Sequence, residues 1–329
     1  MMSRIAVIGA GSWGTTLACL LADKGNDVSL WVYEDALARE IKKTGINRYL
    51  PDVSLPSGIM VSSRIEEVLR DAEYVVNAVP TQHTRKVFNT ASGHIPAGAL
   101  LVNASKGIEK GTLLTVSGIL EEVSGRKAAV LSGPSFAAEV IRKRPTAVTI
   151  ASEDRAKGLQ LQRLFSTDYF RVYTNADVIG TELGGALKNV MAIASGISDG
   201  LGLGSSTRAA LITRGLAEMT RIGVALGAVE KTFMGLSGLG DLVLTCTGTL
   251  SRNYTVGFRL GKGERLNDIL ANMTMVAEGV ATSESAYELS ERHGVEMPII
   301  EQIYKVIREG KSPLDAVKEL MTRSLKSEY

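Results

Sequence analysis

Lys188 sits in the stretch ELGGALKNVMAIASG, residues 182–196, among glycines, alanines, a leucine, a valine and a methionine. A lysine is rarely buried in such company unless it is paired or used. Counted along a helix, its i−4, i−3, i+4 and i+7 neighbours are Gly184, Gly185, Ala192 and Ser195, all small. Leu183, Leu187, Val190 and Ile197 form a separate apolar stripe that can face a core. The ammonium thus projects from a face cleared of bulk, with room for a ligand. The plain alternative is helix packing on the two glycines, with the lysine reaching out to solvent. Asp241 and Thr245 in GLGDLVLT are four apart and share a helix face, so Asp241 either caps that helix or holds a buried lysine. Lys106 in NASKG and Ser135 in SGPSF each follow a short apolar run, and Gly133 offers a close backbone approach. In SRN, residues 251–253, Arg252 beside Asn253 joins a guanidinium fork to an amide donor, a grip suited to phosphate. Exposed loop arginines are common, so that grip is weak by itself.

The histidines at 83, 94 and 293 lie in no suitable motif, so among these groups a lysine is the candidate acid or base.

The companion chemistry lies at the other end of the chain. RIAVIGAGSWG, residues 4–14, sets Gly9, Gly11 and Gly14 in a G-x-G-x-x-G pattern after an apolar strand and before an amphipathic helix. The first glycine permits the turn, the second admits a pyrophosphate, and the third lets helix and strand pack closely. The helix N-terminus then presents N–H groups to the phosphates. At the end of the second strand, Glu34 lies twenty residues past Gly14, where an acid holds a ribose 2′-hydroxyl and favours NAD, unless it sits one residue past that position and faces solvent. Arg39 is near enough to tolerate a 2′-phosphate, so the sequence leaves NAD or NADP open. The NAVP turn, Asn77–Pro80, either flanks the dinucleotide or is only a proline-marked loop.

These groups need a frame that brings strand ends and helix faces together. Strand-like runs occur at Ile5–Ile8, Val28–Val32, Tyr74–Val79, Ala99–Asn103, Ala128–Leu131, Ala147–Ala151 and Phe170–Tyr173. Helical stretches such as Thr15–Lys24, Asp35–Lys43, Thr84–Ala91 and Leu113–Val123 lie between them, which predicts a doubly wound, mainly parallel sheet covered on both faces. After Asp177 the periodicity is helical, for example in Thr207–Leu226, Ser283–His293, Ile299–Glu309 and Leu314–Leu325. Asn175 or Asp177 caps the entry, and Pro298 and Pro313 are expected to break the later helices. The expectation is an α/β Rossmann domain over 1–178 followed by an all-α domain over 179–329.

Composition sets the class. The chain has 329 residues, 45% of them apolar and 22% charged, which suits a globular protein with a sizeable core. Lys and Arg number 37 against 35 Asp and Glu, so bulk charge points to neither nucleic acid nor membrane, and any anion site has to be local. Cys19 and Cys246 form no metal spacing and fit a reduced cytoplasmic compartment. The uncharged run Ile5–Ala22 resembles a signal peptide or membrane span, but glycines at 9, 11 and 14 make strand, turn and helix the better reading.

GAGSWGT, NASKG, SGPSFAAE, ELGGALKNV, DGLGLGSSTRAALITRGLAEM, GLGDLVLTCT, SRN and VAEG follow one another in that order. Together they resemble the bacterial NAD(P)-dependent glycerol-3-phosphate dehydrogenases over nearly the whole chain, and the LKN and GLGDL–SRN elements are the most specific. The resemblance implies interconversion of sn-glycerol 3-phosphate and dihydroxyacetone phosphate, feeding phospholipid synthesis, in a homodimer without metal. It implies that Lys188 is the proton acceptor and that Lys106, Gly133, Ser135, Asp241, Ser251, Arg252 and Asn253 meet the substrate. It further implies dinucleotide contacts from Ser12, Trp13, Tyr33, Lys106, Ala137, Arg252, Val276 and Glu278. Two rivals share parts of the pattern. A dehydrogenase of the same plan acting on another small hydroxy acid or phosphate would keep the glycine turn and the helix lysine, but GLGDLVLT with SRN argues against it. A non-catalytic dinucleotide sensor would have no need of Lys188.

Overall fold

A computed structural model describes residues 2–325, 327 and 328. The chain folds as two compact units, one of Met1–Lys106 with Leu114–Glu182, the other of Gly107–Leu113 with Leu183–Tyr329.

The first unit is built on ten strands: β1 (Arg4–Ile8), β2 (Asp27–Trp31), β3 (Ile46–Asn47), β4 (Leu50–Ser54), β5 (Met60–Ser62), β6 (Tyr74–Asn77), β7 (Leu100–Asn103), β8 (Ala128–Ser132), β9 (Thr146–Ala151) and β10 (Phe170–Asn175). Eight of them form one sheet in the order β10-β9-β8-β7-β6-β1-β2-β5, and β3 pairs with β4 as a separate antiparallel ribbon. Every neighbouring pair in the large sheet is parallel except β8 with β9. Side chains alternate along each strand. Val7, Val76 and Val102 therefore join a core with Leu17, Leu21, Leu37 and Phe165, and Ala6, Ile8, Val75 and Leu101 join another with Phe88, Val116 and Leu120. Helices Ser12–Asp23, Asp35–Thr44 and Arg155–Phe165 contribute to the first core, and Thr81–Ala91 and Val116–Ser124 to the second. All seven expected strands are present. The short β5 and the β3–β4 ribbon add to them.

The second unit is helical, and among the described residues no strand follows β10. Its main helix, Val178–Gly200, begins within the first unit, and every residue from Gly180 to Ser198 is buried. A helix apolar all round has to lie inside a core. Asp177 caps it, its Oδ1 accepting from Gly180 N at 2.8 Å. The expectation for the prolines is corrected: Pro298 and Pro313 open the helices Pro298–Arg308 and Pro313–Met321 instead of ending others. The first helical position loses no hydrogen bond to a proline, whose fixed φ already suits a helix.

Glu218 satisfies buried backbone donors at the start of Pro298–Arg308. Its carboxylate oxygens accept from Ile299 N at 2.8 Å and Ile300 N at 3.3 Å. Burial pushes this carboxyl up to about 7, and the two N–H donors only partly oppose it. A carboxyl whose folded value is raised contributes stability that is full below its unfolded value and is lost as pH rises through the folded one. Urea unfolding at pH 5.5 and pH 8 is expected to show a loss of about 2 kcal/mol from this group. In Glu218→Gln that difference should shrink, and an unchanged difference refutes the assignment.

Candidate active site

Strand order reverses between β1 and β6, since the chain moves outward from β1 to β2 on one side and from β6 to β7 on the other. Ligands of doubly wound sheets lie beyond the C-terminal strand ends at this point. Three glycines shape the loop after β1, each for its own reason. Gly9 has φ +113, and a Cβ there would stand 2.8 Å from the Ala78 carbonyl beyond β6. A Cβ on Gly14 would fall 1.9 Å from the Gly9 oxygen, so helix and strand meet only because it is absent. Around Gly11 no protein atom beyond its own stretch of chain lies within 4 Å of that position. The space at Gly11 is a cradle a side chain would fill, which suits the approach of a pyrophosphate to bare backbone.

Trp13, two residues on, has a buried Nε1 without a hydrogen-bond partner, and Ser12 starts the helix. Asn47 braces the loop from β3, its Nδ2 donating to Ala10 O at 2.9 Å and Thr15 Oγ1 at 2.8 Å. Ala137 opens a short helix beside the same element, where its carbonyl accepts from Thr16 Oγ1 at 3.4 Å. Past β2, Tyr33 is 68% exposed with its ring edge-on to Trp31. Glu34 there faces Arg48 at 3.5 Å, while Arg39 is bound to Asp35 at 2.7 Å. An acid and an arginine thus pair just past β2, and the arginine is Arg48 where the sequence suggested Arg39. The residues fit a nicotinamide dinucleotide.

Lys106, Gly133 and Ser135 come together at the ends of β7 and β8. Lys106 Nζ at 3.0 Å and Ser135 Oγ at 3.0 Å both donate to the Gly133 carbonyl. Gly133 adopts φ +138, and a Cβ would stand 2.9 Å from Val148 Cα, so no other residue keeps this turn.

In the helical unit Lys188 has its charge partner. Lys188 Nζ lies 2.5 Å from Asp241 Oδ1 and 2.7 Å from Thr245 Oγ1, with the side chains of Lys188 and Asp241 8% and 1% exposed. Thr245 Oγ1 also reaches Asp241 O at 2.6 Å, one turn back on the helix Asp241–Thr247. The carboxylate beside Lys188 favours the charged ammonium. Asp241 is therefore the lysine's counter-ion and not merely a cap, and Lys188 does not reach out to solvent.

The reading of the small residues is revised. A Cβ on Gly184 would stand 2.5 Å from Ser237 O, and Ser195 Oγ donates to Cys246 O at 2.8 Å. Protein backbone occupies the clearance at these two positions.

Further along the same helix, glycines set the spacing to its neighbour. Cβ atoms on Gly196 and Gly200 would meet Tyr254 O and Phe258 O, and those on Gly257 and Gly261 would meet Ile193 O and Ile197 O, all at 2.0–2.5 Å. Helices Val178–Gly200 and Arg252–Gly261 thus pack backbone against backbone. Ser251 caps the second of them, accepting from Tyr254 N at 3.2 Å. Asn253 is more occupied than a phosphate grip suggests: its Nδ2 donates to Asn189 Oδ1 and its Oδ1 accepts from Gly279 N, both at 2.9 Å. One amide hydrogen is left for a ligand. Arg252 is exposed and spends one Nη1 bond, 3.0 Å, on the carbonyl of Val276. Glu278 starts the helix Glu278–His293 two residues beyond Val276. Cys19 and Cys246 are buried and unpaired. Among the described residues no group of acids, histidines and cysteines gathers as a metal site, and no single helix is long and apolar enough to cross a membrane.

The profile of the NAD-dependent glycerol-3-phosphate dehydrogenase N-terminus matches residues 4–157, and that of its C-terminus matches residues 177–318. A glycerol-3-phosphate dehydrogenase (NAD(P)+) of Geobacter sp. strain M21 is 56% identical over 333 residues, covering 100% of this chain and 99% of that protein. The chain belongs to the NAD-dependent glycerol-3-phosphate dehydrogenase family. A member from Syntrophotalea carbinolica is 56% identical over 330 residues, 99% of each chain. The crystal structure of the Coxiella burnetii glycerol-3-phosphate dehydrogenase superposes with a TM-score of 0.95 at 40% identity, over 98% of this chain and 99% of that one. The family's mainly parallel N-terminal sheet and helical C-terminal region are the architecture found here. Within this family fold, sequence reasoning missed Asn47, Arg48, Glu182 and Asn189. Only Glu182 carried a signal, a carboxylate in the same apolar helix as Lys188.

Proposed function

We propose that the protein interconverts sn-glycerol 3-phosphate and dihydroxyacetone phosphate with NAD or NADP, supplying glycerol 3-phosphate for phospholipid synthesis. The buried Lys188–Asp241–Thr245 group carries this reading, because a desolvated ion pair held this tightly needs a use beyond stability. Held by these residues, a nicotinamide dinucleotide would supply hydride chemistry at the carbonyl carbon in either direction. Lys188 gives its proton to the oxygen during reduction and takes the hydroxyl proton during oxidation. Asp241 and Thr245 fix the ammonium's direction. Lys106 adds positive charge where the oxyanion develops. Ser135 and the Gly133 backbone complete that end of the substrate site. Arg252 grips the phosphate with its remaining N–H groups, helped by Ser251 and the spare hydrogen of Asn253.

In this reading residues 1–178 bind the dinucleotide through Gly9, Gly11, Ser12, Trp13, Gly14, Tyr33, Lys106 and Ala137, with Val276, Glu278 and Arg252 added from residues 179–329. The active form is a cytoplasmic homodimer. Buried, unpaired cysteines agree with a reducing compartment. Mixing the purified protein with dihydroxyacetone phosphate and NADH or NADPH is expected to consume reduced-nicotinamide absorbance. Dinucleotide binding without turnover would make it a sensor, and turnover only with another carbonyl would make it a sibling enzyme.

A further inference from the structure

Glu182 is 6% exposed, on the helix that carries Lys188, and no step above uses it. Its Oε1 accepts from Asn103 Nδ2 at 2.8 Å and from Ser117 N at 2.9 Å, and its Oε2 accepts from Ser117 Oγ. Asn103, at the end of β7, is fully committed. Its second Nδ2 hydrogen goes to Ser105 O at 3.0 Å, and its Oδ1 accepts from Ser105 N at 2.9 Å and Asn77 Nδ2 at 3.1 Å. Asn77 Oδ1 in turn accepts from Val79 N at 3.1 Å, and Ser105 Oγ donates to Val79 O at 2.6 Å.

An asparagine amide has two nearly isosteric orientations, and its partners decide between them. An acceptor at Glu182 requires Asn103 to present its NH2 there and its oxygen to Asn77. That choice orients Asn77 as well. The same Asn103 amide holds the Ser105 residue by its N–H and its carbonyl, and Lys106 is the next residue.

We propose that Glu182 is a positioning residue which, through Asn103 and Ser105, sets the place from which Lys106 projects. The inference rests on the dehydrogenase reading, in which Lys106 meets the substrate. Burial pushes the Glu182 carboxyl up, so an uncharged side chain of the same shape suits the site. Glutamine keeps one acceptor for Asn103 and Ser117 N, and offers N–H to Ser117 Oγ. Alanine leaves Asn103 without its orienting acceptor.

The test is a double-mutant cycle between Glu182 and Lys106, read as kcat/KM for dihydroxyacetone phosphate and as calorimetric binding of glycerol 3-phosphate. Circular dichroism selects a temperature at which every variant is folded. Glu182→Ala is expected to lower kcat/KM on the order of tenfold or more, since misplacing a reacting group by an ångström carries such losses. Glu182→Gln should stay within about threefold of wild type, and in a Lys106→Met background Glu182→Ala should cost less than about twofold. Glutamine no better than alanine, or losses that simply add in the cycle, would overturn the inference while leaving the dehydrogenase reading intact. A wild-type protein inactive on dihydroxyacetone phosphate would sink both.

Discussion

Lys188→Ala is expected to lower turnover of dihydroxyacetone phosphate by roughly a thousandfold or more, with dinucleotide affinity within about threefold of wild type. The variant removes both the proton donor and a charge beside the developing oxyanion, and each alone is worth about a hundredfold or more. It also leaves Asp241 buried without its cation. Removing one partner of a buried pair destabilises by about 3–5 kcal/mol, so unfolding has to be followed in parallel. The double variant Lys188→Ala/Asp241→Asn separates the two effects. It should regain much of the stability and none of the turnover. Stopped-flow or steady-state rates within tenfold of wild type, in a folded Lys188→Ala protein, would remove the proton-transfer role.

The second large effect comes from two glycines that differ in what surrounds them. Gly14→Ala puts a methyl carbon 1.9 Å from the Gly9 oxygen. Neither atom is a flexible side-chain end, so strand and helix have to part. A loss of about 3 kcal/mol or more in stability is expected, in the range of severe core overpacking. Gly11→Ala meets no protein atom beyond its own stretch of chain within 4 Å, and its melting temperature should be unchanged. Its methyl instead occupies the approach to the backbone, so NADH and NADPH binding, measured by fluorescence, should weaken by about a hundredfold. Normal binding in a folded Gly11→Ala protein would show that the cradle is not used.

Strands such as Tyr74–Asn77 and Ala128–Ser132 were legible because each is a short, wholly buried, mostly apolar run between turns. Met60–Ser62 is too short to announce itself. The reversed direction of β9 against β8 is set by how the chain returns through residues 133–145, and residue types do not encode that. Lys188 and Asp241 could be suspected of pairing because an unpaired charge in an apolar helix is costly. The Asn189–Asn253 bond could not, since an amide's type names no particular partner and 64 residues separate the two. The small residues around Lys188 were visible, but their purpose was not. Only the fold brings the Ser237 carbonyl beside Gly184. Glu218 and Asn47 likewise act on backbone groups that no pattern of types reveals.

The glycines at 196, 200, 257 and 261 join two helices without side chains between them. A joint of that kind has no play. Side chains at an ordinary helix interface can change rotamer and let one rod slide past the other, whereas carbonyls lodged against Cα atoms have no torsion to spare. Lys188 with Asn189 lies on one rod, and Arg252 with Asn253 on the other, and the Asn189–Asn253 bond pins them near the same joint. The spacing between the backbone at Lys188 and the backbone at Arg252 is thereby a fixed gauge. Under the proposed function, a longer or shorter substrate is not accommodated by shifting these two helices, and the difference falls to side chains and loops.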